Sequence, residues 1–162
     1  MENPFYAFLA SLEGMCFQTP SAAELEQLEK LTGGRMPEMF RAVYEIAEPA
    51  ADTEYDGFVF YGLGRMADEN TEYVPGANLL PLGLFTFASL DDGDSISFDM
   101  NVPGFPVYLC SHETMNGECD IEYFEDGNLL TAPFNYENVV RYAQKLSDSF
   151  AGFVTALAAG EL

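Results

Sequence analysis

Apolar positions recur at two different periods along this chain. The change between them divides it into a helical first third, a strand-rich middle and a helical end. Phe5, Phe8, Leu9 and Leu12 repeat at helical spacing behind Asn3-Pro4, a capping side chain followed by a proline where no amide hydrogen is needed. Gly14 is placed to stop that helix. Ser21 and Glu24 have capping-box spacing, each side chain able to accept the other residue's free amide hydrogen. The second helix therefore starts near Ser21. It carries Leu25, Leu28 and Leu31 on a narrow stripe, turns Glu24, Glu26 and Glu29 elsewhere, and ends at Gly33-Gly34. Pro37 opens a third helix with Met39, Phe40, Val43, Tyr44 and Ile46 on its buried face, and Pro49 ends it.

Beyond Pro49 the pattern changes. Residues 51–57 read as a polar turn, and 58–61 as a short aromatic run that favours a strand. Residues 62–78 are rich in Gly, Asp, Glu and Asn and read mostly as loop, with one helical turn around 65–70. Three strand-like runs follow at 79–88, 95–100 and 106–110, the first interrupted by Pro81 and Gly83. In the second, Ile96, Phe98 and Met100 alternate with Ser95, Ser97 and Asp99. "DDGD" joins the first two as a tight turn in which Gly93 is free to take a positive φ. A further strand at 121–124, the turn "EDGN" and a Leu129-Leu130 segment come next. A long helix over 135–159 closes the chain, with Val139, Ala143, Leu146, Phe150, Phe153, Val154 and Leu157 in period.

Helices, then several short strands, then a helix, without βαβ alternation, predict an α+β fold. N-terminal helices precede a central, mainly antiparallel sheet, and a C-terminal helix packs on it. With 162 residues and no separating linker, residues 1–162 are expected to form a single domain.

Charge narrows the function. Against 6 basic residues stand 27 acidic ones, a net charge of -21. Such a field repels nucleic acid and anionic membranes and attracts basic proteins, although solubility alone accounts for an acidic surface equally well. Cys16, Cys110 and Cys119 are an odd set that does not suggest a disulfide framework. Glu2 and the lack of a basic, then apolar, N-terminal run argue against a signal peptide, and no apolar run is long enough to cross a membrane. The cytoplasm is the expected compartment.

The chemistry-bearing residues do not assemble into a recognised motif. His112 lies near Cys110, Ser111 and Glu113, but no nucleophile elbow or catalytic-cysteine signature surrounds it. Cys110, His112, Cys119 and Cys16 include one close pair, whereas structural zinc usually takes two. Asp91, Asp92, Asp94 and Asp99 miss the spacing of a calcium loop. "GLG" at residues 62–64 lacks the rest of a phosphate cradle. No catalytic residue, metal site or cofactor site is therefore assigned.

Larger patterns carry a resemblance. "ELEQLEKLTGGRMPEMFRAVYEIAE" is similar to the opening of the SUKH (Smi/Knr-like) superfamily, in which a Glu- and Leu-rich helix leads through glycine to an aliphatic-Pro pair, here Met36-Pro37, and a second helix. "NLLPLGLFTFASLDDGDSISFDM" resembles that family's central hairpin, with Gly93-Asp94 and Phe98-Asp99 at its marked places. "FPVYLCSHE" and "APFNYENVVRYAQKL" resemble the next strand and the final helix. The likeness begins near residue 21. It omits 62–78, and the chain has no tryptophan. The resemblance implies protein binding, as in bacterial immunity proteins that neutralise polymorphic toxins, many of them nucleases, or in regulatory scaffolds without a toxin. A basic protein is thus the expected partner, with Asp91, Asp92, Asp94, Glu113, Glu118, Asp120 and Glu122 as candidate contacts. The alternatives are a scaffold role and an enzyme using Cys110 and His112. Oligomeric state is left open.

Overall fold

In the structure, a computed structural model that describes residues 2–162, Asn3 Oδ1 accepts the amide hydrogens of Phe5 and Tyr6 at 2.9 and 3.2 Å and so starts α1 (Pro4–Ala10). The Ser21–Glu24 capping box is complete at the head of α2 (Ala22–Thr32), and Gly33 ends that helix in the left-handed region at φ 60°. A side chain there costs about 1–2 kcal/mol. Helix α3 (Glu38–Tyr44) buries Phe40, Val43 and Tyr44. It stops before the expected Pro49, which leaves Ile46 68% exposed instead of in the core. Pro49 holds Glu48 in extended backbone, and the helix has already ended at Tyr44, four residues before Glu48. Glu48–Pro49 instead forms a short strand, β2, paired with β1 (Phe17–Gln18).

Residues 51–57 are more than a turn. β3 (Thr53–Tyr55) and β4 (Phe58–Phe60) form a hairpin closed by Asp56 and Gly57, at φ 49° and 83°. Two positive φ values in a two-residue loop match the right-handed twist of the strands. The expected loop at 62–78 is largely helical, with α4 (Leu63–Thr71) and α5 (Gly76–Leu79). Gly62 offers α4 no side-chain cap. Buried Glu48 supplies one from fifteen residues away, accepting the Leu63 amide hydrogen at 2.5 Å, while its other oxygen accepts from Gln18 Nε2 at 2.9 Å. The strand expected from 79 begins later, because Pro81 sits in a 3-10 turn over Leu80–Leu82. It becomes β5 (Leu84–Leu90), followed by β6 (Ser95–Asp99) and β7 (Val107–Cys110). β8 (Ile121–Glu125) and β9 (Asn128–Ala132) complete the middle of the chain.

The long helix expected over 135–159 is three elements: α6 (Tyr136–Tyr142), β10 (Gln144–Ser147) and α7 (Phe150–Ala159). The open edge of β7 claims β10, pairing Gln144 with Leu109 and Lys145 with Tyr108. Ser149 then starts a new helix by accepting the Gly152 amide hydrogen at 3.0 Å. Each half keeps its apolar residues in helical period, so the interruption leaves the pattern nearly unbroken.

These strands form one six-stranded sheet in the order β10-β7-β6-β5-β4-β3, antiparallel at every pairing. The fold is α+β, as expected. Helices α1, α3 and α7 cover one face through an aromatic cluster. Phe40 lies at its centre, 4.5 Å from Tyr44, 5.5 Å from Phe98 and 6.0 Å from Phe150 between ring centroids. On the other face Leu84, Tyr108 and Cys110 pack under Leu79, Met115, Ile121 and Val139. The alternation of Ser95, Ser97 and Asp99 with Ile96 and Phe98 therefore does not separate water from core, since both sides of β6 are buried. On the polar side Ser95 Oγ is buried without a partner, while Ser97 and Asp99 are paired internally. Ser97 bonds Thr86 at 2.9 Å, and Asp99 accepts from the Tyr136 hydroxyl at 2.6 Å, so burial of these two costs little.

Candidate functional site

The β5–β6 turn is fixed by its own acids. Gly93, at φ 101°, lets the chain reverse, and Asp92 Oδ1 accepts the Asp94 amide hydrogen at 3.0 Å. The Asp91 amide donates to Gly57 O at 3.0 Å, which ties this turn to the neighbouring hairpin. Asp91 and Asp92 are left exposed, while Asp94 is half-buried.

His112 explains the difference. One Asp94 oxygen accepts both its backbone amide hydrogen, at 2.8 Å, and its ring Nδ1 hydrogen, at 2.7 Å. The imidazole is 37% exposed, with Nε2 4.0 Å from Glu113 Oε1. The hydrogen bond to Asp94, followed by the charges of Asp94, Glu113 and Asp92, raises the histidine's pKa above its ordinary value.

This contact bears on the Cys110–His112 pair. Cys110 is buried in the second core cluster, and burial pushes its thiol up to about 12. At neutral pH it is a protonated thiol, and His112 Nδ1 is bonded to Asp94. The other cysteines do not join it, because Cys16 and Cys119 are exposed. Among the described residues, Asp92, Asp94 and His112 do bring one potential ligand atom each within 4.8 Å of one another. Asp94 and His112 are already hydrogen-bonded to each other. Asp99 lies apart from this turn, fully buried against Tyr136.

The remaining candidate acids sit on a separate element. Glu118 and Asp120 lie exposed on the loop from β7, and Glu122 on β8. Strands β8 and β9 pair with each other in a two-stranded sheet outside the main one. Their base is anchored: Ile121 and Ala132 are buried, and Tyr123 stacks on Tyr142 of α6 at 4.0 Å. Tyr142 of α6, on which the hairpin's Tyr123 stacks, lines one recess together with Asp94. The seven candidate acids thus gather into a turn group and a hairpin group beside it.

The sequence reading missed the apolar part of this surface. Phe124 and Leu129 are paired directly across the hairpin and are 75% and 55% exposed. The signal was present: Tyr123-Phe124 and Leu129-Leu130 put apolar residues on both faces of one hairpin. A hairpin outside the main sheet can be covered on only one of them. Glu125 and Asp126, exposed at its tip, extend the acidic set.

No family model, no curated protein and no solved structure matches this chain.

Proposed function

We propose that this chain is a protein-binding domain for a basic partner and acts as an immunity protein that neutralises a toxin. The observation that carries the reading is a shortage of internal counter-charge. Among the described residues, Lys and Arg make their ion pairs with Glu29, Glu45, Asp52, Glu69 and Asp148. The acids from 91 to 137 make no ion pair with them, and the ion-pair contacts there are those of Asp94 and Glu113 with His112. An unneutralised field of this kind accelerates encounter with a basic protein and slows encounter with acidic ones. The resemblance of residues 24–48 and 78–100 to SUKH immunity proteins supports the choice of a toxin as that partner. The buried, protonated Cys110 weighs against a Cys/His enzyme.

The test is to look for a toxin gene neighbouring this one, co-express the two and titrate the purified proteins against each other. Protected growth and tight, salt-weakened binding are expected. Binding without protection would favour the scaffold role, and unprotected growth with no binding would sink the proposal.

A further inference from the structure

Between Arg65 and Arg141 the sequence holds fourteen acidic residues and no lysine or arginine. The β8–β9 hairpin lies inside that stretch. It also presents the most exposed large apolar side chain among the described residues, Phe124. The register places Phe124 opposite Leu129 and Glu122 opposite Thr131, so these four side chains share the outer face, away from Tyr142. The Asp126-Gly127 turn, at φ 51° and 78°, gives the hairpin a two-residue tip that holds the register. An apolar pair held out on an anchored hairpin costs solubility and adds nothing to this chain's own core.

We propose that the outer face of the β8–β9 hairpin, the Phe124–Leu129 pair with Glu122, rimmed at the hairpin's end by the acids Glu125 and Asp126, is the surface on which a basic protein partner docks. The inference rests on the binding role proposed above and locates it. Charge decides the occupant. A second copy of this chain would bring the same unpaired acids face to face, and nucleic acid or anionic lipid would be repelled in the same way. A basic surface with an apolar cleft satisfies both features. Its charge speeds encounter, and burial of the aromatic ring slows release.

The test is photo-crosslinking from p-benzoylphenylalanine placed at position 124 of the full chain, in the cells that make it. The same probe at Ile46, also exposed, serves as control. The expected result is an adduct with a basic protein from 124 and not from 46. That protein, purified, should then bind Phe124→Ser/Leu129→Ser about tenfold or more weakly than the native chain. Glu122→Gln/Glu125→Gln/Asp126→Asn should flatten the salt dependence of its association rate. Circular dichroism of both variants should match the native chain. An adduct with a second copy, an adduct with a neutral or acidic protein, equal capture from 46 or no capture from 124 overturns the proposal. If the purified partner binds both variants as it binds the native chain, the surface is wrong while the binding role stands. A native chain that binds no basic protein removes both.

Discussion

Asp94 and His112 show how one contact sets the chemistry of a turn. The carboxylate oxygen takes two hydrogens from the same residue, so the charged imidazole is favoured in the folded chain. Its folded pKa lies above the unfolded value of about 6.5. The stabilisation from this pair is therefore fully present below about pH 6.5 and is lost as pH rises through the higher folded value. The ring is too exposed for that contribution to be large. In a proton NMR titration, His112 should show a midpoint above the ordinary value, and Asp94→Asn should bring it back. A midpoint unmoved by Asp94→Asn would mean that some other group holds the proton.

At the level of elements, helix α4 depends on a residue outside its own sequence. Removing the Glu48 side chain leaves the Leu63 amide buried without an acceptor, and Gly62 provides no replacement. Glu48→Ala should lower unfolding stability by about 1–3 kcal/mol in urea titrations. Glu48→Gln should recover only part of that, because one of its two acceptors becomes a donor. A loss below about 0.5 kcal/mol would mean water replaces the cap. The same residue explains much of what was legible in the sequence. Helices α1 and α2 carry their caps beside them, at Asn3 and at Ser21–Glu24, and they lie where the pattern puts them. Helix α4 is capped by a carboxylate fifteen residues away, so 62–78 looks like loop. β10 is a strand because β7 has an unpaired edge, which is also a non-local fact. At the candidate site the acidic turns were legible as charge. For Phe124 and Leu129 the sequence carried only the doubled apolar pattern; which of the two faces stays uncovered depends on what packs against the hairpin.

For the whole molecule, a net charge of -21 with few internal ion pairs means that repulsion among carboxylates opposes the fold. Added salt screens that repulsion, shrinking the Debye length from about 10 Å at 0.1 M to about 3 Å at 1 M. The surface pairs of Arg41, Arg65 and Lys145 lose little in exchange. Thermal unfolding should therefore move to higher temperature as sodium chloride is raised from about 0.05 to about 1 M. A flat or falling Tm would show that the ion pairs outweigh the repulsion. The position of α7 has a consequence for how the chain is made. Phe150 stands 5.3 Å from Phe5 and 5.3 Å from Phe87, so the first helix described and the middle of the sheet meet through a residue near the other end of the chain. While the ribosome still holds the segment around Phe150, Phe5 and Phe40 lack one of the two rings they share, Tyr44 being the other. The nascent chain waits with the α7 side of its aromatic cluster uncovered, and the acidity of the chain sets like charges between it and its siblings on the same messenger.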